Sequence, residues 1–110
     1  MNYTIAYYSE AVERDVLSLP DTLLARYFSL ADRMLSVGPN LGEPHTEAFG
    51  CGLFELRLKG ADGIARVFYC TQVGRRIVML HSFVKKTQKT PLRERRIAEN
   101  RLKEIKSANP

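Results

Sequence analysis

The sequence is poor in the residues that build metal sites and disulfide frameworks. It has no tryptophan, two cysteines (Cys51 and Cys70) and two histidines (His45 and His81) among 110 residues. The two cysteines and two histidines lack the closely spaced ligand pairs of a structural zinc site, so no metal is expected. Long apolar runs are missing too, which excludes a transmembrane helix. The N-terminus, Met-Asn-Tyr-Thr-Ile-Ala-Tyr-Tyr, has neither the basic start nor the apolar stretch of a signal peptide, so a cytoplasmic chain with no membrane partner is expected. The common catalytic signatures are likewise missing: no Gly-x-Ser-x-Gly elbow, no P-loop, no His-Glu-x-x-His and no dinucleotide fingerprint. No cofactor is implied. With no repeats or low-complexity linker, residues 1–110 should form one domain.

What the second half lacks is negative charge. Residues 1–50 hold three basic and seven acidic side chains, whereas residues 85–110 hold nine basic and three acidic. Residues 51–84 hold five basic and two acidic. A chain that segregates charge this way offers a polyanion-binding face on its later elements.

Residues 2–8 alternate Tyr3, Ile5 and Tyr7 against smaller or polar neighbours and predict a strand pairing with an edge of a later sheet. Ser9 is a good N-cap for a helix ending near Leu19, with Val12, Val16 and Leu19 at helical spacing. Pro20 interrupts, and Asp21 is positioned to cap a second helix. There Leu24, Tyr27, Phe28, Ala31, Met34 and Leu35 form the expected apolar stripe, ended by Gly38-Pro39. Neither helix carries anything that looks chemical. Residues 41–52 read as a loop, in which His45 is a solvated histidine.

The organising stretch is 53–91, a three-stranded antiparallel meander. Phe54, Leu56 and Leu58 alternate with Glu55, Arg57 and Lys59, and turns fall at Gly60–Gly63 and at Gly74. In the second strand Arg66, Phe68 and Cys70 oppose Ala65, Val67 and Tyr69. One sheet face is expected to close a core, while the other holds Arg57, Lys59 and Arg66, with Glu55 the one nearby carboxylate. The third strand releases Lys85, Lys86 and Lys89 at its end. Thr90 and Pro91 are placed as N-cap and first residue of a basic helix running to about Ser107, with Ile97, Ala98, Leu102 and Ile105 as its apolar stripe.

Two readings of the basic face stay open on residue chemistry alone: a solvated surface with one salt bridge, or a phosphate-binding face. RNA carries its own nucleophile, the 2′-hydroxyl, so an RNA-cleaving protein has only to hold the strand in line, neutralise the phosphorane and move protons. His81 is a possible acid or base, yet its strand, Ile-Val-Met-Leu-His, is apolar on both faces and fits a satisfied core histidine equally well.

The segments Leu53-Phe-Glu-Leu-Arg57, Arg66-Val-Phe-Tyr69 and Arg76-Ile-Val-Met-Leu-His-Ser-Phe-Val-Lys-Lys-Thr-Gln-Lys-Thr-Pro91 resemble the RelE/ParE superfamily of bacterial toxins, closest to its HigB-like, phage-derived branch. The resemblance implies an α+β, RelE-like fold: an N-terminal strand, a helical hairpin on a mainly antiparallel twisted sheet, and a basic C-terminal helix. It implies the toxin of a type II toxin–antitoxin system, a ribosome-dependent, metal-independent endoribonuclease (mRNA interferase). Carried over by position, Arg57, Arg66 and Lys86 are the catalytic candidates. Lys59, Lys85, Lys89 and Arg93 are the RNA-binding ones. The implied partners are a HigA-like helix-turn-helix antitoxin and mRNA on the ribosome, with operator DNA reached only through the antitoxin complex. The sequence departs from the family in having no aromatic residue after Phe83; Leu92 stands near the place of a tail tyrosine. Two alternatives therefore stay open, a ParE-like inhibitor of DNA gyrase and an inactive relic that only binds its antitoxin.

Overall fold

The computed structural model describes residues 2–85 and 91–108. The elements run β1 (Thr4–Tyr7), α1 (Glu10–Leu17), α2 (Asp21–Val37), β2 (Thr46–Ala48), β3 (Phe54–Gly60), β4 (Gly63–Gln72), β5 (Arg76–Lys85) and α3 (Leu92–Ala108). The strands form one sheet in the order β1-β5-β4-β3-β2, with β1 parallel to β5 and the other pairs antiparallel. This is an α+β architecture compatible with a RelE-like fold.

Ser9 caps α1 as expected, its Oγ accepting from the Val12 N–H at 3.2 Å. The cap of α2 is different. Asp21 is already helical, and Pro20 offers no side-chain acceptor. The acceptor comes instead from the β3–β4 turn, where the Asp62 carboxylate takes the Thr22 N–H at 3.1 Å and the Thr22 hydroxyl at 2.8 Å. A hairpin forty residues away thus supplies the anion that the N-terminus of α2 attracts.

The α2 stripe is also rotated from the expected one. Leu23, Tyr27, Leu30, Ala31 and Met34 are buried, whereas Phe28 is half exposed and Leu24 and Leu35 are only partly covered. The seam follows the line of closest approach to the sheet, which helix periodicity alone cannot select from a broad apolar arc. A further correction concerns residues 41–52. They contain β2, which pairs with β3 and extends the meander to a fourth antiparallel strand. Three residues among glycines carry too little alternation to be read as a strand.

The sheet is covered on both sides. Leu56, Leu58, Ala65, Val67, Tyr69, Ile77 and Met79 face α1 and α2 in the larger core. On the other face, Phe68, Cys70, Val78 and Leu80 lie under Ala98 and Leu102 of α3. The expectation of one apolar and one basic face therefore holds for only part of the sheet. Helix α3 turns half of the second face into a core and leaves the rest for charge. Its first turn hangs on the Pro91 carbonyl, which accepts from the Glu94 and Arg95 N–H groups. Thr90 lies outside the described residues.

A β-bulge decides what β5 shows. Phe68 pairs with His81, while Tyr69 pairs with Met79, so Leu80 is an extra residue. Before the bulge, odd-numbered residues Ile77 and Met79 face the α1–α2 core. After it, odd-numbered His81, Phe83 and Lys85 share the face of Phe68, Arg66 and Ile64, their cross-strand partners.

Candidate functional site

Cross-strand register assembles the site. Arg57 lies opposite Arg66, and Arg66 opposite Phe83; one step on, Lys59 and Lys85 flank Ile64. Strict alternation along β3 and β4, and the bulge in β5, thus bring Arg57, Lys59, Arg66 and Lys85 to one face. Arg57, Lys59 and Arg66 line a cleft of about 290 Å³ with Arg26, Pro44, His45, Leu58 and Ile64.

The two arginines are held differently. Arg57 is committed to carboxylates: Nη2 contacts Glu47 at 2.6 Å, Nη1 contacts Glu43 at 3.8 Å, and Nε lies 3.6 Å from Glu55. The expectation that Glu55 is the one carboxylate nearby is corrected here, because the 41–52 segment that folds into β2 delivers two more. The ion pair of Arg66 among the described residues is with Glu55, Nε to Oε1 at 3.9 Å, and that buried Nε has no hydrogen-bond partner among them. Burial pulls the Arg66 guanidinium below its ordinary range; Glu55 opposes the shift and Arg57 adds to it. Lys85, nearly buried, is lowered as well, first by desolvation and then by repulsion from Arg66, with Glu55 opposing. Lys59 is exposed at the rim.

His81 is engaged elsewhere. Its Nε2 lies 2.6 Å from Glu94 Oε1 of α3, and its ring stacks on Phe83 with centroids 6.0 Å apart. The contact ties α3 to the sheet, so the geometry favours the docked histidine of the two readings. Arg93 points to solvent, 84% exposed, with Glu94 at 3.5 Å. Lys86 and Lys89 lie outside the described residues.

Several members of this site carry little local signal in the sequence. Arg26 stands off the buried stripe of α2 and lines the cleft, so that helix contributes to the site against expectation. His45 is half buried against the same cleft, and its carbonyl accepts from the Arg57 N–H at 2.8 Å. Glu47 and Glu94 gain their roles only through contacts ten and thirteen residues away. A basic residue on the polar face of α2 was the one local signal available. Chemically, the arrangement offers a guanidinium held at Nε, a desolvated ammonium and an aromatic ledge at Phe83. These are the groups that hold phosphate and stack a base.

Among the described residues no helix is long and apolar enough to cross a membrane. No curated protein matches the chain. One family model does match, over residues 14–103, from within α1 through the sheet and most of α3. That family is associated with RelE and toxin-like proteins and is consistent with a toxin that has an antitoxin partner. By this match over most of its length, the chain belongs to the phage-derived protein Gp49-like family (DUF891).

Proposed function

We propose that this chain is the toxin of a type II toxin–antitoxin pair of the HigB-like branch, and that it cleaves mRNA on the ribosome. The observation that carries the reading is Arg66: a largely buried guanidinium in the cleft wall whose ion pair among the described residues is at Nε, beside a desolvated Lys85. In the reaction the RNA 2′-oxygen attacks the adjacent phosphorus and the P–O5′ bond breaks. The products are a 2′,3′-cyclic phosphate and a 5′-hydroxyl. The 2′-proton leaves to a base, and the 5′-oxygen takes up a proton. Arg66 neutralises the phosphorane in a site where low dielectric strengthens each contact. Lys85, its proton loosened by burial and by Arg66, is the candidate proton donor to the leaving oxygen. Lys59 and Arg26 steer the strand, and Phe83 stacks a base. Lys86, given a transition-state role by the resemblance, completes the cationic set as part of the proposal. Arg57 serves chiefly to hold β2 and Glu55 in place. The partner is a small helix-turn-helix antitoxin.

The test is induction of the chain in bacteria, with 5′ ends mapped on an abundant message while translation runs or is blocked. An Arg66→Ala, Lys86→Ala variant runs alongside. Codon-positioned cuts that need translation and vanish in the variant are expected. Growth arrest with intact messages would overturn the reading in favour of gyrase, to be checked by supercoiling. Neither arrest nor cleavage would leave an antitoxin-binding protein without activity.

A further inference from the structure

Glu55 is 2% exposed and lies in the sheet between Glu47 on β2 and Phe68 on β4. A carboxylate there is an odd choice for stability. It is desolvated, it stands directly opposite another glutamate, and a buried ion pair seldom stabilises more than an apolar group of the same size. What it does make is a particular geometry. One oxygen, Oε1, sits 3.6 Å from Arg57 Nε and 3.9 Å from Arg66 Nε. Both Nε atoms are buried and have no hydrogen-bond partner among the described residues. The carboxylate therefore stands behind two guanidiniums, attracting each from its inner edge, and it offsets the repulsion between cations paired across β3 and β4. Glu55 pairs with Arg66 at Nε, and Arg66 lines the cleft, so the Nη fork is the end left to meet whatever enters there.

We propose that Glu55 is a positioning residue: its buried carboxylate orients Arg66 through Nε, and braces Arg57 beside it, so that the Arg66 fork meets a phosphate of the bound RNA. The phosphate half of this statement rests on the function proposed above; the orientation half does not. Glu55 itself touches no substrate. Glu55→Gln keeps the shape and removes the charge, so it loosens Arg66 without emptying the sheet. The cost falls on the step that needs alignment rather than on binding, which Lys59, Lys85 and Arg26 continue to support.

The experiment uses the full chain labelled with ¹⁵N, following the Nε–H signals of Arg57 and Arg66, together with single-turnover cleavage on programmed ribosomes. The probe for binding is a short RNA with a 2′-deoxy substitution at the scissile position. In Glu55→Gln, Arg66 Nε–H exchange is expected to rise roughly tenfold as local opening becomes easier. The cleavage rate at saturation should fall roughly a hundredfold, as for an aligned group displaced by about 1 Å, with half-saturation changed by less than about threefold. Val16→Ala, a core truncation in α1 on the opposite side of the sheet, serves as the control for lost stability and should leave the saturated rate unchanged.

Unchanged exchange at Arg66 in a folded Glu55→Gln overturns the proposal, and so does an equal loss of rate in Val16→Ala. If Glu55→Gln does not fold, Glu55→Asp, which keeps the charge one methylene further back, decides: unmoved Nε signals overturn it. If the wild-type chain cuts no RNA, the proposed function fails alone. Arg66 exchange in the variants, and its response to the probe RNA, then still decide whether Glu55 positions it.

Discussion

Arg101 is expected to be among the most sensitive surface-layer residues, because it seats the bulge that turns β5 toward the site. Its Nη1 donates to the carbonyl of the bulged Leu80 at 2.7 Å, and its guanidinium lies 4.8 Å from the centroid of the Tyr8 ring. Leu80 is fully buried, so its carbonyl has little recourse to water once that donor is gone. A hydrogen bond from a charged donor contributes about 1.5–3 kcal/mol. A cation over an aromatic ring adds about 0.5–1 kcal/mol. Arg101→Ala should therefore cost about 2–4 kcal/mol, a large share of the roughly 5–15 kcal/mol typical of a domain this size. At about 2.1 cal/mol/K of unfolding entropy per residue, that is a fall in Tm of about 9–17 °C for 110 residues. Urea unfolding of the two proteins, compared at equal slope, measures it. Amide shifts should spread from Leu80 to Lys85. Arg101→Lys should recover part of the loss, since an ammonium keeps the charge without the planar fork. A loss under about 0.5 kcal/mol with β5 shifts unmoved would refute the assignment, because a surface substitution without structural consequence costs no more than that.

Two further outcomes follow from titratable groups. The Asp62 carboxyl is held below its ordinary value of 3.8 by the Thr22 N–H first and the Thr22 hydroxyl second. A folded-state pKa below the unfolded one stabilises above the unfolded value, and that contribution is lost as pH falls through the folded value. Asp62→Ala should thus melt earlier than wild type at neutral pH, and the gap in melting temperature should close as pH falls below about 4; a constant gap from pH 7 to pH 2 would remove the cap. Burial pushes the Cys70 thiol up to about 11, with Lys106 opposing, whereas Cys51 is exposed. A thiol reagent at pH 8 should consume one equivalent on the native chain and a second only on unfolding; two fast equivalents would mean that the α3 core opens readily.

What the sequence by itself determined is local. The alternation in β3 and β4, the glycines at the hairpin turns and Ser9 before α1 are choices a few residues make among themselves, through side-chain period and backbone sterics. Those choices already put Arg57 on the face of Lys59, and Arg66 on the face of Phe68, before any packing is known. The basic character of α3 was legible for the same reason. Tertiary structure alone decided the rest, since it depends on groups far apart in the chain. Asp62 caps α2 only because the β3–β4 turn lands on its N-terminus. Glu43 and Glu47 neutralise Arg57 only because a three-residue strand pairs with β3. Helix α3 claims one half of the second sheet face and draws His81 to Glu94. The bulge at Leu80 changes the side of the sheet on which every later residue of β5 emerges, so no pattern along β5 could place Lys85 beside Arg66. A side-chain period is a property of the backbone, whereas an ion pair or a shift of register is set by which surfaces meet when the chain closes on itself.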